Sequence, residues 1–355
     1  MTTETVSLTQ EVLARVEQNA GVLSLNRPKA IHALTLDMVH AMTAALVEWR
    51  SDAGIRVVLI DHAEGRGFCS GGDIALLRNS ALNDGGVSGR RFFFDEYRLN
   101  HLIFTYDKPV VAFMDGITMG GGVGISQPAR YRVATENTRF AMPETGIGLF
   151  PDVGGGWYLS RLPRRMGQYL ALTGARLDGA ECLWAGLATH YLPAEVLPDA
   201  KRRIAAEPER VEQILAELSV TPPAAKVAAH ADDIERLFAA DRYEDVLADL
   251  AADGGEFASA TLATLATKSP QTCKVSLRQL ADSRRLGSFA ENMAMEYRIG
   301  SRVLTLPDFA EGVRALIVDK DNAPKWSPAR AEDVSDDLIE RIFAPLPANE
   351  EWSPL

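Results

Sequence analysis

The chain has 355 residues, of which 46% are hydrophobic and 24% charged, a composition typical of a globular protein and not of a disordered or fibrous one. The formal net charge of −11 argues against a nucleic-acid-binding surface, because phosphate backbones are held by clustered Lys and Arg side chains. No apolar run approaches the roughly 20 residues that span a bilayer, so neither nucleic acid nor a membrane is an expected partner.

The cysteines and histidines indicate neither a disulfide framework nor a metal site. Cys69, Cys182 and Cys273 lie far apart and form no CxxC pair. The six histidines show no HxxxH or HExxH spacing, so a zinc site is not expected. The polar segment 1–10 contains no Arg and is unlike a secretory or mitochondrial leader, which predicts a cytoplasmic location.

The first 60 residues predict two strands, a helix and a third strand. Residues 12–17 and 21–25 alternate in polarity as strands do. Thr35 or Asp37 can cap the helix that follows, and the apolar run 57–60 is typical of a short buried strand. This order suggests a repeating ββα unit.

The alternation of helices and strands continues further along the chain. Residues 92–104 and 119–127 predict helices, whereas 109–113 and 131–134 predict buried strands. Repeated alternation with short connections indicates an α/β core.

The character of the sequence changes after about residue 200, where no clear strand is found. The helix-like segments there are 202–218, 234–250, 258–267, 275–280 and 289–303. We therefore expect an α/β core over residues 1–197 and a helical C-terminal region over residues 198–355.

Three glycine-rich segments, at 65–73, 115–124 and 142–156, carry the candidate chemistry. Glycines before a helix let the backbone approach a ligand and leave N–H groups free, and two such loops can aim two amides at one carbonyl oxygen. None of the segments contains GxGxxG or GxxxxGK[ST], so dinucleotide and P-loop sites are not indicated. The pattern suits an enzyme that builds negative charge on a thioester oxygen, although glycines that only form tight turns would produce it too.

The glycine-rich segments resemble the crotonase (enoyl-CoA hydratase/isomerase) superfamily in order and spacing. The motifs that carry this resemblance are Leu-Asn-Arg-Pro-Lys-Ala at 25–30, Phe-Cys-Ser-Gly-Gly-Asp-Ile at 68–74, Gly-Ile-Thr-Met-Gly-Gly-Gly at 116–122 and Pro-Glu at 143–144. The resemblance covers residues 12–195 and implies a spiral of ββα repeats followed by a helical part. It also implies that the acyl-CoA carbonyl lies between two backbone amides, which by position belong to Gly72 and Gly121.

The acidic residues point to one branch of this superfamily. Hydratases carry one Glu just after the GGG turn and one in the Pro-Glu motif. Here the second is Glu144, but the first position is Gly124, which has no side chain to handle a proton. Dienoyl-CoA isomerases share an Asp at the position of Asp152 but need a further Asp where Gly124 stands. Glu144 with Asp152 and no third acid therefore resembles the 3-hydroxyisobutyryl-CoA hydrolase branch.

Segments outside the glycine loops resemble the same branch and extend the match over nearly the whole chain, except residues 200–260. These segments are 93–100, 295–298, 309–315 and 319–326. Glu96, within the first of them, resembles a substrate-contacting residue of the branch, although a Glu on a helix face is usually only solvated. His32 stands where the superfamily usually has Asn, and we assign it no catalytic role.

The resemblance implies hydrolysis of 3-hydroxyisobutyryl-CoA, or of a close β-hydroxyacyl-CoA, in valine breakdown. Glu144 is expected to attack the thioester carbonyl or to activate a water molecule, and Asp152 to bind the 3-hydroxyl or to position water. For Asp152, a role as a turn residue or helix cap is the alternative.

The expected binding partner is the acyl-CoA substrate, whose CoA part belongs to the substrate, so that neither a cofactor nor a metal is implied. Arg27 and Lys29 are candidates for contacting the CoA phosphates, and Asp73 is a candidate for bracing the CoA-binding loop. The oligomeric state, trimer or monomer, stays open.

Two other functions remain open from the sequence. One is an enoyl-CoA hydratase or isomerase that uses Glu144 alone, for which Gly124 is the objection. The other is a non-catalytic acyl-CoA-binding protein that keeps the fold, against which the presence of both acids argues.

Overall fold

The computed structural model describes residues 9–355. In this part of the chain the strands end at Tyr191 and only helices follow. The strands are β1 (Val12–Glu17), β2 (Ala20–Leu25), β3 (Val57–His62), β4 (Gly67–Cys69), β5 (Val110–Met114), β6 (Ile117–Met119), β7 (Tyr131–Ala134), β8 (Arg139–Ala141), β9 (Leu177–Asp178) and β10 (His190–Tyr191). The α-helices are α1 (Leu36–Ser51), α2 (Ile74–Asn83), α3 (Val87–Phe104), α4 (Gly121–Ser126), α5 (Gly155–Leu159), α6 (Met166–Thr173), α7 (Gly179–Ala185), α8 (Leu197–Ala206), α9 (Val211–Leu218), α10 (Ala231–Leu237), α11 (Tyr243–Asp253), α12 (Glu256–Leu265), α13 (Pro270–Ser283), α14 (Phe289–Val303), α15 (Pro307–Val313) and α16 (Asp336–Phe343).

The larger sheet has six strands in the order β1-β2-β3-β5-β7-β10. Only the β1–β2 pair is antiparallel, and all other neighbours are parallel. Strands β2, β3 and β5 are buried on both faces, which explains the apolar runs 57–60 and 110–114 of β3 and β5. One face packs against α8 and α9 through residues such as Ile204 and Leu215, and the other faces the main core.

The smaller sheet has four strands in the order β4-β6-β8-β9, and it positions the glycine-rich loops. Strands β4 and β6 pair in parallel, as do β6 and β8. Carboxyl ends of adjacent parallel strands meet at one edge of a sheet, so the chain segments that leave β4, β6 and β8 emerge side by side. Each of these strands has only three residues, too few for a recognisable alternation of polarity.

The helix predicted after Thr35 is α1, and the Thr35 hydroxyl caps it by accepting a hydrogen bond from the Met38 N–H at 3.2 Å. Helix α3 begins at Val87, five residues before the predicted start at Phe92, and packs between α1 and α14. The predicted helix 119–127 is wrong at its start, because Met119 belongs to β6.

The C-terminal region contains more breaks than the sequence predicted. The predicted helix 202–218 is divided into α8 and α9, because Pro208 between them lacks the N–H that a helix interior requires. The predicted helix 234–250 is likewise divided into α10 and α11. The domain division at residue 197 stays a prediction. No helix within residues 9–355 is long and apolar enough to cross a membrane.

Candidate active site

A cleft of about 1100 Å³ lies where the glycine-rich loops converge. Its walls are formed by the loop after β4, the start of α4, helix α3, the turn after β8, helix α12 and the segment after α15. The cleft contains five of the residues that the sequence proposed for catalysis or substrate contact: Gly72, Glu96, Gly121, Glu144 and Asp152.

The loops that carry Gly72 and Gly121 touch each other. A Cβ atom placed on Gly121 would lie 3.2 Å from the Gly71 carbonyl carbon, and one placed on Gly71 would lie 3.9 Å from the Gly121 nitrogen. Within residues 9–355, no backbone carbonyl accepts a hydrogen bond from the N–H of Gly72 or Gly121 outside helices and strands. Both amides therefore remain available to a ligand oxygen in the cleft.

Glu144 opens the turn that follows β8, and its carboxyl group is buried against the second glycine loop. A Cβ atom on Gly120 would lie 3.2 Å from Glu144 Oε1, and the φ of +47° at Gly120 favours glycine there. Glu144 Oε2 is buried without a hydrogen-bond partner among the described residues. Burial raises the pKa of Glu144 well above its usual value, and the charge of Asp152 adds to the shift.

Asp152 is also buried, but it has a partner. The Tyr97 hydroxyl on α3 donates a hydrogen bond of 2.8 Å to Asp152 Oδ2. Burial raises the pKa of Asp152 to about 7, and the hydrogen bond from Tyr97 opposes the shift because it stabilises the carboxylate.

Glu96 lies one helical position before Tyr97 and is only 2% exposed. Its Oε1 would lie 2.7 Å from a Cβ atom on Gly121 and has no hydrogen-bond partner in the described part of the chain. Burial raises the pKa of Glu96 well above its usual value, and the charge of Asp152 raises it further. The sequence alternative of a solvated Glu on a helix face does not fit this burial.

Three carboxyl groups in one dry cleft cannot all carry charge near neutral pH, because each charge disfavours the next. Asp152 is the group that ionises first, since Tyr97 stabilises its charged form. Among the described residues, Glu96 Oε1 and Glu144 Oε2 have no hydrogen-bond partner, and both residues line the cleft. The arrangement provides proton-transfer groups beside two free backbone amides, which suits acyl chemistry.

The position that would hold the first catalytic Glu of a hydratase is closed. A Cβ atom on Gly124 would lie 2.6 Å from Val153 Cβ and 2.9 Å from Asn100 Nδ2, distances that packed atoms do not tolerate. The structure therefore leaves no room at this position for any side chain, acidic or not.

The three residues proposed for CoA binding are placed differently from the five in the cleft. Arg27 forms ion pairs with Glu11 at 3.2 Å and with Asp73 at 3.1 Å. Neither Arg27 nor Lys29 is among the described residues that line the cleft, whereas Asp73 is. Asp73 caps α2 by accepting a hydrogen bond from the Leu76 N–H at 3.3 Å, so it braces the loop as expected. Contact of all three with CoA stays a prediction.

His32 and Cys69 have structural contacts. His32 Nδ1 accepts a hydrogen bond from the Arg27 N–H, and Nε2 lies 2.9 Å from the Glu64 carbonyl, to which it donates. Cys69 is buried, which raises its pKa to about 12, and its thiol donates to the His32 carbonyl. A thiol held in this state is not a nucleophile near neutral pH.

The sequence interpretation missed several residues of the site. Tyr97 stands in a quoted motif, but nothing local indicated that it would meet Asp152. Lys268 and Arg176 line the cleft, and Lys268 Nζ would lie 3.3 Å from a Cβ atom on Gly146. Burial lowers the pKa of Lys268. No group of three or more His, Cys, Asp or Glu within residues 9–355 is arranged to hold a metal ion.

Sequence comparison places this site in a known context. The profile of the enoyl-CoA hydratase/isomerase family matches residues 20–343. The chain is 44% identical to the mitochondrial 3-hydroxyisobutyryl-CoA hydrolase of Xenopus tropicalis, over 92% of this chain and 87% of that protein. It is 39% identical to 3-hydroxyisobutyryl-CoA hydrolase 1 of Arabidopsis thaliana, over 94% and 91% of the two chains.

Two solved structures are similar over almost their entire length. A carnitinyl-CoA dehydratase of Mycobacterium thermoresistibile superposes with a TM-score of 0.92 at 40% identity, covering 97% of this chain and 99% of that one. An enoyl-CoA hydratase of Rhodobacter sphaeroides superposes with a TM-score of 0.91 at 36% identity, covering 97% and 100%. The predicted crotonase-like fold with a helical C-terminal region is confirmed.

The prediction of a cytoplasmic location is wrong. The vertebrate relatives, among them those of Xenopus tropicalis and Rattus norvegicus, are named as mitochondrial enzymes. The prediction depended on the composition of residues 1–10, and a segment that short does not determine the compartment of a protein.

Proposed function

The chain belongs to the enoyl-CoA hydratase/isomerase family, and from this premise we propose that it hydrolyses the thioester of 3-hydroxyisobutyryl-CoA or of a close β-hydroxyacyl-CoA. The products are the free hydroxy acid and CoA, and the reaction is a step of valine breakdown. One observation carries the proposal: Glu144 and Asp152 share a buried cleft with two free glycine amides, while Gly124 has no room for a hydratase acid. Relatives named 3-hydroxyisobutyryl-CoA hydrolase, 39–44% identical over most of the chain, support it.

The Gly72 and Gly121 amides donate hydrogen bonds to the thioester oxygen. Negative charge builds on this oxygen when the carbonyl carbon becomes tetrahedral, so the two donors stabilise the transition state more than the ground state. Removal of one such donor typically costs about 3 kcal/mol of barrier. Neither N–H has a backbone acceptor among the described residues outside helices and strands, which supports this role.

Glu144 starts the reaction by one of two routes. In the first, a carboxylate oxygen attacks the carbonyl carbon, the C–S bond breaks, CoA thiolate leaves and takes up a proton, and water then hydrolyses the anhydride. In the second, Glu144 removes a proton from water, the hydroxide attacks directly, and the proton passes to the leaving thiolate. Both routes require the ionised carboxylate, and the raised pKa of Glu144 makes it a strong base once ionised.

Asp152 and Glu96 orient the acyl group. The Tyr97 hydroxyl holds Asp152 Oδ2, which leaves the other carboxylate oxygen to accept a hydrogen bond from the 3-hydroxyl of the substrate. Glu96 Oε1 lies over Gly121 without a partner, where it can accept a hydrogen bond from the same hydroxyl or from the attacking water. No cofactor takes part in these steps.

Hydration of an enoyl-CoA is the second candidate, because the two solved structures of high similarity are named as a dehydratase and a hydratase. A non-catalytic acyl-CoA-binding protein is the third. The closed position at Gly124 disfavours hydration, and the buried pair of acids disfavours a purely binding function.

Thiol release from 3-hydroxyisobutyryl-CoA is the measurement that tests the proposal, with hydration of crotonyl-CoA followed in parallel. We expect rapid thiol release, no hydration, and a decrease in kcat of at least about 100-fold in Glu144→Gln. Glu181→Gln is the matched control. Glu181 is a buried carboxylate that accepts hydrogen bonds from the backbone N–H groups of Asp178 and Val227, and it does not line the cleft. Hydration without thiol release would contradict the proposal, and so would binding without turnover.

A further inference from the structure

We infer that Glu296, a buried carboxylate on α14 in the C-terminal region, is the positioning residue for Asp152. The Glu296 carboxylate binds backbone N–H groups of the turn over residues 152–156 and thereby places the Asp152 carboxylate in the cleft. The contribution of Glu296 to catalysis rests on the proposed hydrolase function, whereas its effect on the geometry of the turn does not.

Glu296 is fully buried and binds the turn at two points. Its Oε2 accepts a hydrogen bond from the Gly154 N–H at 2.7 Å, and its Oε1 accepts one from the Gly156 N–H at 2.9 Å. These amides lie two and four residues beyond Asp152. Because both oxygens are engaged, the turn can neither slide nor rotate past Glu296 without losing a hydrogen bond.

Neighbouring amides hold Glu296 in place. Its Oε1 also accepts hydrogen bonds from Gln279 Nε2 at 3.0 Å and from Asn292 Nδ2 at 2.9 Å. The Gln279 amide donates a further bond of 2.7 Å to the Pro151 carbonyl, on the other side of Asp152. Asp152 is therefore held from both directions along the chain by residues of α13 and α14.

The turn needs such support, because its backbone is strained. Val153, directly after Asp152, has a φ of +52°, a conformation that is unfavourable for a β-branched residue. Strained conformations of this kind persist only where the surrounding structure determines them fully. The hydrogen bonds from Gly154 and Gly156 to Glu296 provide that determination.

The glycines of the turn fit the same interpretation. A Cβ atom on Gly156 would lie 2.9 Å from Glu296 Oε1 and 2.8 Å from Gln279 Nε2, so a side chain there would push the carboxylate away. Gly154 has a φ of +90° and would place a Cβ atom 2.8 Å from the Phe289 ring. Both glycines allow the close approach that the two hydrogen bonds require.

All four hydrogen-bond partners of Glu296 are donors, which fits the ionised carboxylate. Burial raises the pKa of Glu296 to about 8, and the hydrogen bonds from Gly154 and Asn292 oppose this shift. A glutamine at this position would present an NH₂ group to one of the four donors, so one contact with the turn would become a repulsion.

The experiment compares Glu296→Gln with the control Glu181→Gln. Glu181 is also a buried carboxylate that accepts hydrogen bonds from two backbone N–H groups, but it lies outside the cleft. We expect Glu296→Gln to lower kcat about 10–100-fold with KM for the acyl-CoA changed less than about 3-fold, because a displacement of about 1 Å at a reacting group costs about this much. The distance from the Tyr97 hydroxyl to Asp152 Oδ2 is 2.8 Å in the unmodified chain. Crystal structures should show a longer distance in Glu296→Gln and an unchanged distance in Glu181→Gln. The variant Gln279→Met, which removes the donor at Pro151 and at Glu296 Oε1 without adding a charge and with little change in shape, should have a smaller effect in the same direction.

The outcomes separate this inference from the proposed function. If the unmodified protein releases no thiol from 3-hydroxyisobutyryl-CoA, the proposed function fails, and the crystal structures alone decide the role of Glu296. If the protein is active and Glu296→Gln keeps both kcat and the Tyr97–Asp152 contact, the inference is overturned while the function stands. If Glu296→Gln does not fold, Gln279→Met decides, and an unchanged kcat with an unchanged contact in that variant overturns the inference.

Discussion

At the scale of single residues, environment distinguishes three carboxyl groups that share one cleft. Asp152 has a hydrogen-bond donor in Tyr97, whereas Glu96 and Glu144 each keep an oxygen without a partner among the described residues. Burial raises the pKa of all three, but the value of about 7 at Asp152 places its ionisation nearest to neutrality. Carboxyl groups of one cleft therefore supply both a charged anchor, at Asp152, and groups that hold a proton more tightly, at Glu96 and Glu144.

The raised pKa of Asp152 leads to a prediction about stability. A carboxyl whose pKa is higher in the folded than in the unfolded protein stabilises the fold fully at low pH, and this contribution is lost as the pH rises through the folded value of about 7. Asp152→Asn cannot ionise and avoids this loss. We therefore expect its free energy of unfolding, relative to the unmodified protein, to be higher at pH 8 than at pH 4.5 by at least about 1 kcal/mol.

Urea denaturation at the two pH values measures this difference. The matched control is Asp84→Asn, because the Asp84 carboxylate is exposed and its pKa is lowered by hydrogen bonds from Ser80 and Ser88. The contribution of a carboxylate with a lowered pKa is lost only as the pH falls below about 4 toward its folded value of about 2, so the stability of that variant relative to the unmodified protein should be nearly the same at pH 4.5 and pH 8. Equal pH dependence of Asp152→Asn and the unmodified chain would show that the Asp152 carboxyl titrates normally.

At the scale of elements, the short helix α4 determines which acids the site can contain. Gly124 is pressed against Val153 and Asn100, so the turn that carries Asp152 occupies the space where a hydratase has its first Glu. In this chain, packing therefore closes the position after the GGG turn, and the acids of the cleft come from α3, from the turn after β8 and from the turn that carries Asp152.

Substitution of Gly124 tests this packing. We expect Gly124→Ala to lower the free energy of unfolding by about 1–3 kcal/mol, since its Cβ atom would lie 2.6 Å from Val153 Cβ. Gly287→Ala is the control, because its Cβ atom would meet only Glu291 Oε2, at 3.6 Å, and should change stability by less than about 0.5 kcal/mol. Equal stability of the two variants in thermal or urea unfolding would disprove the close approach of α4 to the Asp152 turn.

At the scale of the whole molecule, the C-terminal region supports the active site of the α/β core. Helix α14 packs on α3, which carries Glu96 and Tyr97, and its Glu296 binds the turn after Asp152. The last residues of the chain contact α3, where the Trp352 indole donates a hydrogen bond of 3.1 Å to the Phe94 carbonyl. An ion pair of 2.9 Å between Arg298 and Glu351 fixes this return.

Removal of the Trp352 side chain should therefore affect more than the chain end. Trp352 is 5% exposed, and we expect Trp352→Ala to cost about 3–5 kcal/mol of stability, the usual effect of removing a buried Trp. Trp184→Ala is the control, since Trp184 is 39% exposed and should cost about 1 kcal/mol or less. Similar unfolding midpoints for both variants would mean that the C-terminal segment is only loosely attached.

The sequence by itself determined the elements and residues whose signals are local. The alternation of β2, the apolar runs of β3 and β5, and the Thr35 cap of α1 are recognisable because each pattern spans only a few residues. The same holds for Glu144 and Asp152 in the motif segments. The family follows from the same local motifs, and the fold follows from the family.

Only the tertiary structure decided which groups meet. Tyr97 and Asp152 are 55 positions apart and Gly154 and Glu296 are 142 apart, so no local pattern connects them. The three-residue strands of the smaller sheet have too little periodicity to be recognised in the sequence. They are defined by their pairing with each other in the folded chain. The burial of Glu96, the closure at Gly124 and the support of Asp152 by Glu296 arise from packing between distant segments, and packing is a property of the folded chain.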